Sequence, residues 1–174
     1  MKNIKKIYLV ITILLFLVPL SSNSHGPSRQ KVIKEIELNA KIEKVWDVVS
    51  NFDDMSWHPD VEKINSEGSG VGAKRTLELK NGKKISQSLE KVDTENKKIT
   101  WRIIETDLDI LPVNSYSANI FLISEEGKTK LKYRAAFYRG FMGNDPPEKL
   151  NDENSKQKVI DFIEKGLNGL KSKF

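Results

Sequence analysis

Hydrophobic residues near the C-terminal end of the chain recur at steps of three and four over residues 150–174. At about 100° per residue, such steps fall on one stripe of a helix. The stripe comprises Val159, Phe162, Ile163, Leu167 and Leu170. Gly166 lies in it too, where the absence of a side chain would let another surface approach closely. A helix of roughly 20 residues is marginal alone in water, so the stripe predicts a large partner surface.

The region before this helix alternates between hydrophobic and polar residues, which is typical of β-strands. A first strand is predicted over residues 32–38. Six more are predicted over residues 61–67, 74–79, 84–92, 99–105, 115–123 and 129–138. Short turns, such as the one at Asn81 and Gly82, join successive strands, and this favours an antiparallel meander.

Two short helices are predicted between the first and second strands. Ile42–Val49 carries hydrophobic residues at helical spacing, and Asp53 would cap a second helix that Pro59 helps to stop. The order of elements is therefore one strand, two short helices, six strands and one long helix. Such an order predicts an α+β domain in which a curved antiparallel sheet of about seven strands wraps the C-terminal helix.

The predicted inner face of the sheet is chemically mixed. Alternation assigns several polar or aromatic side chains to it: Arg75, Gln87, Trp101, Glu105, Tyr116 and Tyr133. Buried polar groups cost several kcal/mol unless they are paired or hydrated, so the pattern predicts a partly hydrated cavity between sheet and helix. A buried guanidinium needs an anion, which either Glu105 or a bound carboxylate would supply to Arg75.

Composition indicates one globular domain. The chain has 174 residues, of which 38% are hydrophobic and 30% charged, enough for a sizeable core. It contains no cysteine, which excludes disulfides, zinc–thiolate sites, iron–sulfur clusters and a lipid anchor on cysteine. No cofactor is expected.

The N-terminal segment has the features of a secretory signal. Lys2, Lys5 and Lys6 precede a nearly unbroken apolar run over residues 7–18, and small residues lead to Ser24. We therefore expect a signal peptide over residues 1–24, cleaved near Ser24, a flexible spacer over 25–30 and one domain over 31–174. The mature protein would be periplasmic or secreted, without stable membrane insertion. The alternative is a retained membrane anchor, although the run is short for a spanning helix.

Removal of that segment changes the charge balance. The chain has 29 Lys and Arg against 24 Asp and Glu, and the first 24 residues hold three lysines and no acid. The remainder therefore has 26 against 24. With no basic block and no interleaved aromatic residues, nucleic-acid binding is not expected.

His58 is the one candidate for acid–base chemistry. The only other histidine is His25, so no multi-histidine metal site is possible and none is expected. A general base needs a substrate within reach and an orienting partner, and Asp53, Asp54 or Asp60 lies near in sequence. Three roles stay open for His58: a catalytic base, a ligand contact, and a structural or capping residue.

Several motifs resemble those of the helix-grip proteins, also called START-like, Bet v 1-like or SRPBCC proteins. They occupy residues 36–49, 50–59, 111–117, 137–140 and 144–153, and the likeness covers residues 31–174. Within the superfamily the chain is similar to the polyketide cyclase/dehydrase branch, and most of all to the MxaD-type periplasmic proteins of methanol oxidation.

The resemblance implies a pocket rather than a particular reaction. It implies that the pocket is lined by Trp57, His58, Arg75, Gln87, Trp101 and Tyr116, with the first two at its mouth; the alternation adds Tyr133. It also implies a role beside a periplasmic dehydrogenase and its cytochrome, and the apolar pair Phe141 and Met142 would suit such a partner. One expectation is thus a protein that binds a small hydrophobic or amphipathic molecule, assists a redox system, or does both.

Two rival functions remain. One is a cyclase or dehydratase in which His58 performs acid–base chemistry while Tyr116 or Arg75 polarises a carbonyl. The other is a membrane-tethered lipid carrier, which requires the N-terminal run to be retained.

Overall fold

The structure, a computed structural model, describes residues 26–174. Its strands are β1 (Gln30–Leu38), β2 (Val61–Glu67), β3 (Lys74–Leu79), β4 (Lys84–Asp93), β5 (Lys98–Thr106), β6 (Val113–Glu125) and β7 (Lys128–Arg139). Helix α1 (Ile42–Val49) follows β1, and helix α2 (Asp152–Lys173) ends the chain after a short 3-10 turn, Glu148–Leu150. The predicted signal peptide, its cleavage near Ser24 and the start of the spacer lie outside the described residues.

All seven strands form one antiparallel sheet in the order β1-β7-β6-β5-β4-β3-β2. The chain meanders from β2 to β7, and β1 then pairs with β7 at the opposite edge. Helix α2 packs across the inner face and contacts β1 and β7. The predicted α+β architecture, a curved sheet gripping a C-terminal helix, is therefore confirmed.

The capping residue, the charged end turns and the apolar stripe of helix α2 all favour a helix over this segment. The side chain of Asn151 accepts a hydrogen bond from the amide of Asn154, which caps the N-terminus. Acidic residues occupy the first turn and lysines the last, in keeping with the helix dipole. The predicted stripe is buried, and its members are Val159, Phe162, Ile163, Gly166, Leu167 and Leu170.

The second short helix was predicted wrongly. The segment between α1 and β2 is a series of turns, closed by hydrogen bonds such as the one from the amide of His58 to the carbonyl of Met55. Four side chains of this segment are buried: Phe52, Met55, Trp57 and His58. Their spacing of three, two and one residues does not fall on one face of a helix. The chain must turn repeatedly to point each of them inward.

Glu105 was also assigned to the wrong face. It is exposed, and it pairs in register with Ser86, while the next residue, Gln87, pairs with Ile103. The strand β5 thus carries one extra residue, Ile104, which is half exposed. Such a β-bulge reverses the alternation beyond it, so Glu105 points outward and cannot serve Arg75.

No helix within residues 26–174 combines the length and the apolar character that crossing a membrane requires.

Candidate ligand-binding site

The side chains predicted to line a pocket from the strands all point inward. Each of the five is no more than 5% exposed. They are Arg75 on β3, Gln87 on β4, Trp101 on β5, Tyr116 on β6 and Tyr133 on β7. Antiparallel pairing brings them together: Arg75 lies directly opposite Gln87, and Trp101 lies opposite Leu89, which is two residues from Gln87 and on the same face. We refer to these five as the inner cluster.

Arg75 is the only charged member of the inner cluster. Its Nε donates to Oε1 of Gln87 at 2.8 Å and its Nη1 donates to the carbonyl oxygen of Phe52 at 2.8 Å. Its guanidinium also lies 4.2 Å from the centre of the Phe52 ring. Burial lowers the pKa of Arg75 to about 10, against the opposing influence of Tyr133, Asp53 and Asp54. The side chain is therefore charged at neutral pH.

The two tyrosines and Trp101 complete the inner cluster. The hydroxyl groups of Tyr116 and Tyr133 are hydrogen-bonded to each other at 3.0 Å. Burial raises the pKa of Tyr133 to about 12 and that of Tyr116 well above its ordinary value, so both are neutral. The Trp101 ring meets Tyr133 edge-on at 5.5 Å and lies 5.9 Å from the guanidinium of Arg75. Its Nε1 is buried and has no hydrogen-bond partner among the described residues.

His58 lies elsewhere, pressed against helix α2. Its Nε2 lies 3.0 Å from the carbonyl oxygen of Phe162, and the amide of Asp60 donates to its Nδ1 at 3.2 Å. Together these contacts require the neutral tautomer with the proton on Nε2. Burial lowers the pKa of His58, which also favours the neutral form. Both ring nitrogens are therefore engaged within the protein.

Two glycines of α2 make room for this contact. A Cβ on Gly166 would lie 2.7 Å from Cδ2 of His58, and one on Gly169 would collide with the carbonyl oxygen of Trp57. Another surface does approach α2 closely at Gly166, as predicted, and that surface is the turn segment that carries His58. Trp57 is buried beside it, with an Nε1 that has no partner in the described part of the chain. We refer to Trp57, His58, Gly166 and Gly169 as the helix contact.

Phe52 is a residue of the site that the sequence analysis missed. Its carbonyl and its ring both hold Arg75. It lies in a turn, where neither the helical period nor the strand period applies, so no periodicity marked it. The motif at residues 50–59 was the only available signal, and the pocket residues predicted from it were Trp57 and His58.

Surface clefts lie along α2. One has a volume of about 500 Å³ and lies between α2 and the turn after β3, with Leu79, Ile110 and Phe162 among its lining residues. Another, of about 800 Å³, lies between Leu108 and the start of α2. No member of the inner cluster lines either of them. The ligand-binding role of the inner cluster and of Trp57 and His58 stays a prediction.

Within residues 26–174, no group of three His, Asp or Glu side chains is arranged so that it would hold a metal ion.

This fold is the helix-grip fold, and sequence comparison gives a matching family assignment. The family model described as "Polyketide cyclase / dehydrase and lipid transport" matches residues 29–174. The chain belongs to that family. No curated protein matches the chain in sequence.

Solved structures share the fold at low sequence identity. Protein XoxI from Bacillus cereus is 20% identical, with a TM-score of 0.70 over 83% of this chain and 94% of its own. The ZhuI aromatase/cyclase from Streptomyces sp. R1128 is 18% identical, with a TM-score of 0.66 over 84% and 93%. Norcoclaurine synthase from Thalictrum flavum, in complex with dopamine and hydroxybenzaldehyde, is 16% identical, with a TM-score of 0.60 over 86% and 88%.

Proposed function

We propose that the domain binds a small hydrophobic or amphipathic molecule between the inner face of the sheet and helix α2. The observation that carries this proposal is the inner cluster. Stability alone does not explain why a guanidinium, an amide and two hydroxyl groups are buried on neighbouring strands. Burying these polar groups costs free energy, whereas burying aliphatic side chains in their place would not. Concave apolar surroundings with a few converging polar groups are typical of small-ligand sites.

The geometry favours binding over acid–base catalysis at His58. A general base must have a free nitrogen within reach of the substrate, whereas both nitrogens of His58 are engaged with Phe162 and Asp60. The description of the family includes lipid transport as well as cyclases. Neighbours that are named as enzymes support the fold alone, because one fold hosts many functions.

A binding experiment tests the proposal. The protein, purified without denaturation, is expected to carry a co-purifying small molecule in native mass spectrometry. The neutral apolar dye N-phenyl-1-naphthylamine is expected to become fluorescent on binding and to be displaced by that molecule.

Two alanines of β7 provide a matched pair of variants. Ala135 is buried on the inner face and Ala136 lies on the outer face. Ala135→Leu enlarges a buried side chain on the inner face and is expected to abolish dye binding at a cost of about 1–3 kcal/mol in stability. Ala136→Leu is expected to bind dye normally. Absence of any guest together with absence of dye binding in the unmodified protein would refute the proposal.

A second candidate function is assistance to a periplasmic dehydrogenase and its cytochrome. An exposed apolar surface favours it: Phe141 is 37% exposed, Met142 is 50% exposed, and Leu108 lies at the same end of α2. Arg139 donates hydrogen bonds to the carbonyl oxygens of Phe141 and Gly143, and these bonds fix the conformation of the loop that carries Phe141 and Met142. Exposed apolar side chains on a rigid loop suit a protein partner.

Co-precipitation at low salt tests this accessory role. The double variant Phe141→Ser, Met142→Ser is expected to lose the redox partners. The matched control, Val71→Ser, alters an exposed apolar residue in the turn between β2 and β3 and is expected to retain them. Failure of the unmodified protein to retain either partner would reject the role.

The role beside a periplasmic dehydrogenase requires that the protein is exported from the cytoplasm. We expect the signal at residues 1–24 to be removed and the protein to work in the periplasm or outside the cell. The mass of the protein recovered from its native compartment tests this directly. A mass that includes residues 1–24, recovered with the membrane fraction, would favour the tethered lipid carrier instead.

A further inference from the structure

Two arginines are deeply buried in this domain, and their surroundings differ. Arg139 is 4% exposed, and its Nη1 lies 2.7 Å from a carboxylate oxygen of Asp152. Arg75 is 5% exposed, yet no carboxylate within residues 26–174 lies at salt-bridge distance from it. Its two hydrogen-bonded nitrogens donate to neutral oxygens, those of Gln87 and Phe52. Arg75 is therefore a buried charge without an adjacent counter-charge.

The nearest negative charges do not replace such a partner. Asp53 and Asp54 act on Arg75 only through longer-range attraction, from the turn that follows α1. Asp53 is exposed and Asp54 is half-buried, so water screens much of their effect. Charges that are buried in proteins are normally paired, because desolvation of an unpaired ion costs several kcal/mol.

The inner cluster also holds more donors than acceptors. Trp101 carries an N–H that cannot accept, is buried, and has no partner among the described residues. A guanidinium has five N–H donors and no acceptor, and the oxygens of Gln87 and Phe52 already serve it. The hydrogen bond between Tyr116 and Tyr133 uses one of their two hydroxyl hydrogens. What the cluster lacks is an acceptor, preferably one with negative charge.

We infer that the guest of the inner cluster is a carboxylate with an apolar body, held by Arg75 through its charge and by the indole N–H of Trp101. This rests on the proposed function, since it names the class of molecule bound at the same site. A carboxylate supplies up to four acceptor positions and the missing charge at once. The apolar body would contact the aliphatic residues that share the core with the cluster, Leu77, Leu89, Ile120 and Leu131 among them.

Matched pairs of probes test the class of ligand. Decanoate is compared with decan-1-ol, and 2-naphthoate with 2-naphthol, by calorimetry at pH 7 with the full chain. Each carboxylate is expected to bind at least about tenfold more tightly than its alcohol. In nitrogen-15-labelled protein, decanoate is expected to shift the indole N–H signal of Trp101, which the variant Trp101→Phe identifies by its loss.

Variants assign the preference to Arg75. Arg75→Met is expected to bind decanoate and decan-1-ol within about twofold of each other, because the anion loses its charged partner. Arg102→Met is the matched control: Arg102 is an exposed arginine of β5 that pairs with Glu90. It is expected to retain the full preference. Trp101→Phe should reduce the preference partly, and it serves as the second variant if Arg75→Met does not fold.

The outcomes separate this inference from the proposed function. Equal affinity of the unmodified protein for each carboxylate and its alcohol would overturn the carboxylate inference and leave the binding function standing. A preference that survives in folded Arg75→Met would overturn the role of Arg75. Failure of all four probes and of the neutral dye would refute the binding function, and the inference with it.

Discussion

Helix α2 covers two polar regions of similar burial, the helix contact around His58 and the inner cluster around Arg75. At the helix contact, both nitrogens of His58 have partners within the protein, and the centres of the His58 and Phe162 rings lie 4.2 Å apart. In the inner cluster, Arg75 lacks an anion and Trp101 lacks an acceptor. Trp57 and Trp101 each leave a buried Nε1 without a partner among the described residues, so what distinguishes the inner cluster is the charge of Arg75, which has no adjacent counter-charge.

The difference teaches that burial alone does not mark a binding site. A buried histidine in a Trp-His-Pro element led to the catalytic hypothesis, yet its hydrogen bond with the carbonyl of Phe162 attaches the turn segment to α2. The inward position of Arg75 was predicted as well, with either Glu105 or a bound carboxylate as its counter-ion, and its charge has no adjacent partner in the structure. A buried histidine whose two ring nitrogens are both hydrogen-bonded fits a structural role, whereas a buried charge without an adjacent counter-charge indicates a missing anion.

The largest effect is expected at Gly169. Replacing glycine by alanine inside a helix ordinarily stabilises it by about 1 kcal/mol. Here the new Cβ would collide with the backbone carbonyl of Trp57, and backbone cannot move aside cheaply. Gly169→Ala is therefore expected to lower the free energy of unfolding by about 3 kcal/mol in denaturant titration.

Gly166→Ala is the control for that experiment. Its Cβ would meet side-chain atoms of His58 and Trp57, which can shift, so a smaller loss is expected. Equal losses in the two variants, or a gain at Gly169, would contradict the close backbone approach that defines the helix contact.

His58→Gln is expected to cost about 2 kcal/mol at pH 7.5, since two hydrogen bonds and a ring contact are disturbed. Because burial lowers the folded-state pKa of His58 below 6.5, its contribution is complete above pH 6.5 and declines as pH falls through the folded-state value. Protonation would turn Nδ1 into a donor facing the amide of Asp60, near the ion pair of Asp60 with Lys165. The stability gap between the two proteins should therefore narrow from pH 7.5 to pH 5.5.

Chemical denaturation at several pH values measures that gap directly. A constant gap would show that His58 does not titrate in this range. If His58→Gln instead leaves stability unchanged at pH 7.5 but abolishes ligand binding, His58 belongs to the binding site rather than to a structural contact.

A smaller effect is expected for the tyrosine pair. Tyr116→Phe and Tyr133→Phe each leave one buried hydroxyl without its partner, at a cost of about 1 kcal/mol. The double variant removes both polar groups, so its loss should be less than the sum of the single losses. Additive losses, in thermal or denaturant unfolding, would indicate that the two hydroxyl groups are not bonded to each other.

Glu105→Gln is expected to have the smallest effect. The side chain is exposed on the outer face, so stability should change by less than about 0.5 kcal/mol and affinity for decanoate should stay the same. A clear change in either measurement would mean that Glu105 reaches Arg75, and that the inner cluster already has its anion.

Much of the fold followed from local periodicity. The stripe of α2, the seven strands and the inward direction of Arg75, Gln87, Trp101, Tyr116 and Tyr133 were predicted, and the structure agrees with each of them. A side-chain period of two or of 3.6 is a property of neighbouring residues, so it can be read along the chain. The prediction failed where that period is interrupted, at the bulge before Glu105 and in the turns after α1.

The partners of the polar groups were decided by the tertiary structure. Sequence alone determined that Arg75 faces the core, but only the folded chain shows that Gln87 and Phe52, not Glu105, accept its hydrogen bonds. Likewise, the role of His58 depends on Phe162, 104 residues away along the chain. Hydrogen bonds join atoms that are close in space, and closeness in space between distant segments depends on every intervening turn and bulge, which no local pattern records.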